Sequence, residues 1–347
     1  MLTPRPRAPR WTTSLCELVS QSVSQPKLSS VSYVMPVLNE EQYLEAAVVS
    51  ILQQEFAGPV ELILALGPST DATNAIAESL ALNFPVQLVA NPSGGTSAGL
   101  NAAIAAARHD VVVRVDAHSK LMPGYTSLAV EILNSTGAAN VGGVMSAVGS
   151  KPFQSAVAWA YTSKFGLGGG TFHVGGQAGP SDSVYLGVFR ASVLREIGGF
   201  DPAVVRGQDW ELNLRLRQAG HTVWFDPRLQ VEYHPRSSWP KLAKQFFDTG
   251  IWRGELTKRS LRSANLRYFA PPVLVTVIVL SLLSAALGWT LPLVLPLGYL
   301  AACAALGILS GKRVLLGGHL ALLVVLPTMH LAWGAGFIRG FLFGATA

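Results

Sequence analysis

The chain has 347 residues, half of them hydrophobic and only 13% charged, with a formal net charge of +6 and a positive mean hydropathy. That is room for one large globular domain and something extra, and it is too apolar on average for an ordinary soluble enzyme. Two cysteines, Cys16 and Cys303, lie far apart in the chain, which argues against a disulfide framework and fits a reducing compartment.

Residues 1–30 form a basic arm carrying Arg5, Arg7 and Arg10. It lacks a continuous apolar core and does not read as a signal peptide. Residues 12–24 are expected to form a short surface helix or to be disordered. Val31–Met35 is an apolar run ending at Pro36 and reads as a strand. Leu44, Val48, Ile51 and Leu52 give Glu41–Gln54 helical spacing. Val60–Leu66 is a second strand, and Pro68-Ser-Thr-Asp71 a turn and helix cap, with a helix running to about Leu82. Val86–Val89, Ala98–Arg108 and Asp110–Val115 follow as strand, helix and strand. Strands alternating with helices at this spacing predict an α/β fold with a mostly parallel sheet. Neither GxGxxG nor GxxxxGK[ST] is present, which disfavours a dinucleotide site and a P-loop.

In open parallel sheets ligands bind beyond the carboxyl ends of the strands. Three such ends carry polar or turn-forming residues: Pro36-Val-Leu-Asn-Glu-Glu41, Gly67-Pro-Ser-Thr-Asp71 and Asp116-Ala-His118. Asp116 and His118 are two apart, so on extended backbone they face one side. A carboxylate oxygen and an imidazole nitrogen together suit Mn²⁺ or Mg²⁺, with water and phosphate filling the remaining positions. A solvated strand end, with Asp116 capping a turn, is the competing reading.

Phe165–Gly179 holds seven glycines in fifteen residues and reads as a mobile loop over a substrate, with no helix expected. Val204–Gln218 contains a helix with Trp210, Leu214 and Arg217 on one face and Leu212 and Leu216 on another. Asp209 lies at its start, where the helix N-terminus favours an ionised carboxylate, as a base requires at neutral pH. Glu211 lies about 200° round from it and belongs to another site. A strand follows from Gly220 to Phe225, and Tyr233–Ser238 reads as a polar connection. Lys241–Arg253 has helical character. Gln245, Trp252 and Arg253 are candidates to reach a phosphate or an acceptor, though an amphipathic helix on a membrane is the simpler reading.

From Phe269 to Gly311, and again from Val314 to Ile338, there is no Asp, Glu, Lys or Arg. A bilayer span needs about 20 apolar residues, so two spans broken near Gly288–Pro292 and a third kinked at Pro327 are expected. Arg253, Lys258, Arg259, Arg262 and Arg267 precede the first span, and Lys312 and Arg313 follow the second. This bias places the bulk of the chain in the cytoplasm and suits anionic lipid headgroups. Arg339, beyond the third span, disagrees with a simple three-span topology; a re-entrant third segment resolves it. No basic stripe with interleaved aromatics points to nucleic acid.

Taken in order, PVLNEE, PSTDAT, AGLNAAI, RVDAHS, the GGFDP turn at Gly198–Pro202 and QDWELNLRLRQAG resemble the inverting family 2 glycosyltransferases of GT-A fold. Within that family the closest resemblance is to the membrane-anchored subgroup of succinoglycan-type polysaccharide enzymes. The resemblance covers about Val31 to Arg253. It implies a GT-A domain over 31–238, a basic amphipathic neck over 239–268 and a transmembrane region over 269–342. Asp116 and His118 stand at the metal-binding DxD, Asp116 also toward the donor. Asp209 stands at the catalytic base, with Gln208 where many members have Glu. Pro36, Leu38, Asn39 and Glu40 stand where the family cradles the nucleoside. Gln245, Trp252 and Arg253 are similar to a QxxRW element, with different spacing. Leu66 and Gly67 replace the acids that commonly read the base, and Leu cannot accept a hydrogen bond. The implied function is sugar transfer from a nucleotide-diphosphate donor to a lipid-linked or glycan hydroxyl. A polyprenyl-phosphate sugar synthase and an inert membrane scaffold of the same fold are the alternatives.

Overall fold

The computed structural model describes residues 27–259, 261, 265–311 and 314–345. The N-terminal arm with Cys16, and Arg262, Lys312 and Arg313, lie outside the described residues.

The first strands follow the apolar runs closely: β1 Val31–Val37, β2 Val60–Leu66, β3 Val86–Ala90 and β4 Val111–Arg114, interleaved with α1 Leu44–Leu52, α2 Thr73–Asn83 and α3 Thr96–Ala106. Then come β5 Ser119–Leu121, α4 Tyr125–Thr136, β6 Asn140–Ala147 and α5 Pro152–Tyr161. The glycine-rich segment does contain helix, contrary to expectation: α6 Lys164–Leu167 and α7 Thr171–Val174 are single turns. Gly168 in the left-handed region ends the first of them, and Gly175, at positive φ, the second. Glycine here stops helices rather than preventing them. The globular part closes with β7 Gly179–Pro180, β8 Tyr185–Arg190, α8 Ala191–Glu196, α9 Gln208–Gln218 and β9 Val223–Tyr233.

The strand order is β3-β2-β1-β4-β8-β6-β9-β5, with β7 on β9. The half that presents its carboxyl ends to the site, β3-β2-β1-β4, is wholly parallel, and β8 adds antiparallel to β4. Period-two alternation splits β4 between two layers. Val111 and Val113 pack with α1, α2 and α4, whereas Val112 packs with α3, α8 and α9 through Leu100, Leu194, Leu212 and Leu216.

The C-terminal helices are α10 Trp239–Arg259, α11 Ala270–Ala286, α12 Val294–Leu309 and α13 Gly318–Phe343, which runs through Pro327. With their flanking turns, three helices are long and apolar enough to cross a membrane: Leu266–Ala286, Leu291–Leu309 and Gly318–Phe343. They differ in surroundings, since 11% of the most apolar stretch is buried in each of the first two and 39% in the third. Helix α13 packs on α5 through Leu322, Val325 and Leu326 and lies along α10. A side chain at Gly250 or Gly254 would collide with the backbone of Trp333 or Phe337, and one at Gly336 or Gly340 with that of Phe247 or Ile251. Both residue series ascend together, so α10 and α13 run parallel.

Candidate active site

The valine strand ends in an arginine. Arg114 shares the face of Val112 and is only 3% exposed. A buried guanidinium is stable only where its donors are met, and here two carboxylates meet them. Nε and Nη2 donate to Asp116 Oδ1 at 3.2 and 3.0 Å, and Nη1 donates to Asp209 Oδ1. The Phe200 ring lies against the same guanidinium, 5.6 Å from its centre. Two acids 93 positions apart in sequence are thus gathered on one cation. They meet because α9 packs in the layer that the even-numbered face of β4 looks into. Gly207, left-handed at φ 78°, turns the chain into α9 just before Gln208 and Asp209. Glu211 turns away and pairs with Arg215, as the helical angle requires.

His118 Nδ1 lies 2.9 Å from Glu40 Oε1, and its ring stands edge-on to Tyr233. Glu40 is itself fixed by its backbone N–H, which donates to Thr73 Oγ1 at 2.7 Å. Asn39 is left-handed; its Oδ1 accepts from the Thr70 N–H at 2.8 Å and its own N–H donates to Ser69 Oγ. Its carbonyl therefore ties the end of β1 to the Pro68–Asp71 turn. Leu38 lies over Gly67, with its Cδ1 3.0 Å from where a Cβ there would stand, and also covers Gly94. A Cβ at Gly67 would press on Leu38 and on the backbone of Val37 and Gly94. Asn74 donates to the Gly67 carbonyl at 3.3 Å, and its own buried Oδ1 has no partner among the described residues. Pro36 is half-buried near the end of β1, against Gly99.

Burial raises the pKa of Asp209, Arg114 draws it down, Asp116 pushes it up, and the net direction is upward. The cation opposing the effect of burial is Arg114. Burial lowers the pKa of His118, but the carboxylates of Glu40 and Asp116 outweigh it and the net direction is again upward.

Among the described residues no group of three or more His, Cys, Asp or Glu side chains converges on a metal site. Asp116 and His118 lie on a turn, closed by the Ser119 N–H donating to the Asp116 carbonyl at 2.9 Å, and not on the extended backbone expected; the pair still offers one carboxylate and one imidazole donor to a divalent ion that keeps water and phosphate ligands. Asp116 Oδ2 and His118 Nε2 make no hydrogen bond among the described residues, and Glu40 at Nδ1 orients the imidazole as outer carboxylates do around metal-binding histidines.

The QxxRW-like residues separate. Trp252 is buried in a small cluster with Val204, Trp210 and Leu256 and faces no open site. Gln245 approaches Tyr233. Arg253 lies against Trp210 and borders a cavity of about 870 Å³ between the glycine-rich segment, α10, α11 and α13. Gln208 is half-buried beside Asp209. Arg114 is the residue the motif reading passed over. Its signal was the one positive charge in DVVVRVD, in phase with Asp116.

Comparison with known proteins gives the same picture. The family described as Glycosyl transferase family 2 matches residues 32–198. The succinoglycan biosynthesis protein ExoA of Rhizobium meliloti is 33% identical over 325 residues, 91% of this chain and 97% of that protein. A Methanococcus voltae protein is 24% identical over 67% of this chain and 75% of its own length. Its name is dolichyl N-acetyl-alpha-D-glucosaminyl phosphate 3-beta-D-2,3-diacetamido-2,3-dideoxy-beta-D-glucuronosyltransferase. Among solved structures, the mannosyltransferase PcManGT from Pyrobaculum calidifontis, in complex with GDP-Man and Mn²⁺, shares the fold with a TM-score of 0.56. That match has 19% identity and covers 90% of this chain and 87% of that one.

Proposed function

The chain belongs to glycosyltransferase family 2, and from that premise we propose an inverting transfer of a sugar from a nucleoside diphosphate to a hydroxyl of a membrane-associated acceptor, lipid-linked or glycan. The observation that carries this is the convergence of Asp116 and Asp209 on Arg114, beyond the ends of parallel strands where a nucleotide binds.

Each residue has a task in this reading. Asp209, ionised against Arg114, takes the proton of the acceptor hydroxyl as its oxygen attacks the anomeric carbon. The leaving diphosphate departs from the opposite face, so a single displacement through an oxocarbenium-like transition state inverts the configuration. Asp116 and His118 hold a divalent ion, Mn²⁺ or Mg²⁺, which when bound supplies Lewis-acid neutralisation of the diphosphate. Glu40 keeps the His118 ring in place. Leu38 offers an apolar surface to the base, and Asn74 Oδ1, without a partner among the described residues, offers an acceptor in place of the acids. The glycine-rich segment, α6 to Gly179, covers the acceptor side and excludes water. A polyprenyl phosphate as nucleophile would need less help from a base, and a half-buried Asp209 held on Arg114 favours a hydroxyl. The inert-scaffold alternative has nothing in its favour in a glycosyltransferase that keeps this charge triad.

The basic neck argues for a cytoplasmic catalytic domain at the membrane face. The hairpin α11–α12 suits the bilayer. Helix α13 lies along α10, which carries Lys241, Lys244, Asp248, Glu255, Lys258 and Arg259, and charges of that density stay out of hydrocarbon. The half of α13 beyond Thr328 therefore belongs at the interface, and the C-terminus on the catalytic side.

A thermal-shift panel of UDP, GDP, CDP and TDP with and without Mn²⁺ tests the donor half. One nucleotide is expected to stabilise the protein in a Mn²⁺-dependent way that Asp116→Asn removes. No stabilisation by any of the four would sink it.

A further inference from the structure

Past Trp210, the residue after the proposed base, α9 opens on the 870 Å³ cavity. One wall is a column of alternating rings and cations. The Arg253 guanidinium lies 4.6 Å from the ring centres of both Trp210 and Tyr268, and Arg267 covers Tyr268 at 5.3 Å. Arg217 joins the same wall, paired to Asp182 at 3.3 Å. Among the described residues neither Arg253 nor Arg267 makes an ion pair. Three buried polar atoms on this wall have no hydrogen-bond partner among those residues: Arg253 Nη1, Arg217 Nε and His173 Nδ1.

Such donors are costly when unmet, and two guanidinium groups on one tyrosine ring repel each other unless an anion lies between or beside them. Burial, with the nearby charge of Arg267, pushes the His173 pKa down to about 3, so its imidazole is neutral and can donate without adding charge. The loop backbone at Gly168 and Gly170 runs beside the Arg267 side chain. The opposite wall is apolar: Pro271 and Leu274 of α11, Met329 and Trp333 of α13. A cationic wall facing an apolar one, beside helices suited to the bilayer, fits an anion with a hydrocarbon tail.

We propose that this cavity binds the phosphate or diphosphate of a tailed lipid, with the anion among Arg217, Arg253 and Arg267 and the tail between α11 and α13. The proposal rests on the acceptor reading above and deepens it: a sugar on that phosphate would extend past Trp210 toward Asp209. The phosphate can come from a prenyl carrier or from a glycerophospholipid.

The test is calorimetric titration of the full chain, in phosphatidylcholine nanodiscs, with farnesyl diphosphate, inorganic diphosphate and farnesol. Saturable binding of farnesyl diphosphate is expected, tighter than that of inorganic diphosphate, with none by farnesol. Arg253→Gln and Arg267→Gln should each weaken it on the order of tenfold or more. Arg267 is half-exposed, so its variant keeps the test decisive if Arg253→Gln fails to fold. Discs containing phosphatidylglycerol identify the source: competition assigns the site to glycerophospholipid phosphate, and lack of it to the prenyl carrier. No saturable binding, equal binding of farnesol, or affinity unchanged in the folded variants would overturn the proposal. Nucleotide-induced stabilisation, measured on the same preparations, separates the two failures. If nucleotide binds and farnesyl diphosphate does not, only the lipid site falls; if no nucleotide binds, the transfer reading falls.

Discussion

Arg114 shows how a single side chain can set the state of a site. Its guanidinium, held in a strand of valines, is the counter-charge that opposes the pull of burial on Asp209, the proposed base. Because Arg114 lowers the Asp209 pKa, removing it must raise that pKa. A base works deprotonated, so in Arg114→Gln the acid limb of kcat/KM should move to higher pH by on the order of one pH unit or more. The pH profile of nucleoside-diphosphate release measures this; a limb that stays in place while activity falls would mean that Arg114 only supports the fold. At this scale the sequence was partly legible. Asp116, His118 and Asp209 could be picked out by type and position. Their pairings could not, because the partners of Asp209 and His118 are 95 and 78 positions away and depend on which layer each helix joins. Nor could the sequence say that Leu38 lies over Gly67.

Elements with strong periodicity were legible nearly to the residue: β2 runs Val60–Leu66 as its apolar run does, and α9 buries Leu212 and Leu216 as its spacing requires. Strand β9 extends to Tyr233, well past the apolar run ending at Phe225, because pairing with β6 and β5 holds polar residues extended. Pairing of this kind is a tertiary effect that local propensity does not show. The same holds for α13. Its composition resembles a membrane span, yet four glycines lock it to a charged helix. A cysteine placed at Ala345 should therefore be labelled by a membrane-impermeant maleimide only from the side that labels the catalytic domain. Labelling from the opposite face of sealed vesicles would restore a third span.

The whole molecule joins two sheet layers to a third core, built from β6, β9, α5, α10 and α13. Its form follows from chain order: a half with parallel strands, where the nucleotide is proposed to bind, a half begun by α9, where the acceptor is proposed to bind, and apolar helices long enough to cross a bilayer. The order of motifs conveyed that plan because each half carries its own chemistry at strand and helix ends. The cavity bordered by Arg253 was invisible, since its lining comes from six separate stretches of sequence. Everything at this scale depends on Asp209 acting as the base across from Asp116. The direct measurement is turnover of Asp209→Asn, followed as nucleoside-diphosphate release with native membranes as acceptor, alongside nucleotide-induced thermal stabilisation. Turnover should fall about 10²- to 10⁴-fold while the nucleotide still stabilises the variant. Wild-type turnover in the folded variant would contradict the account.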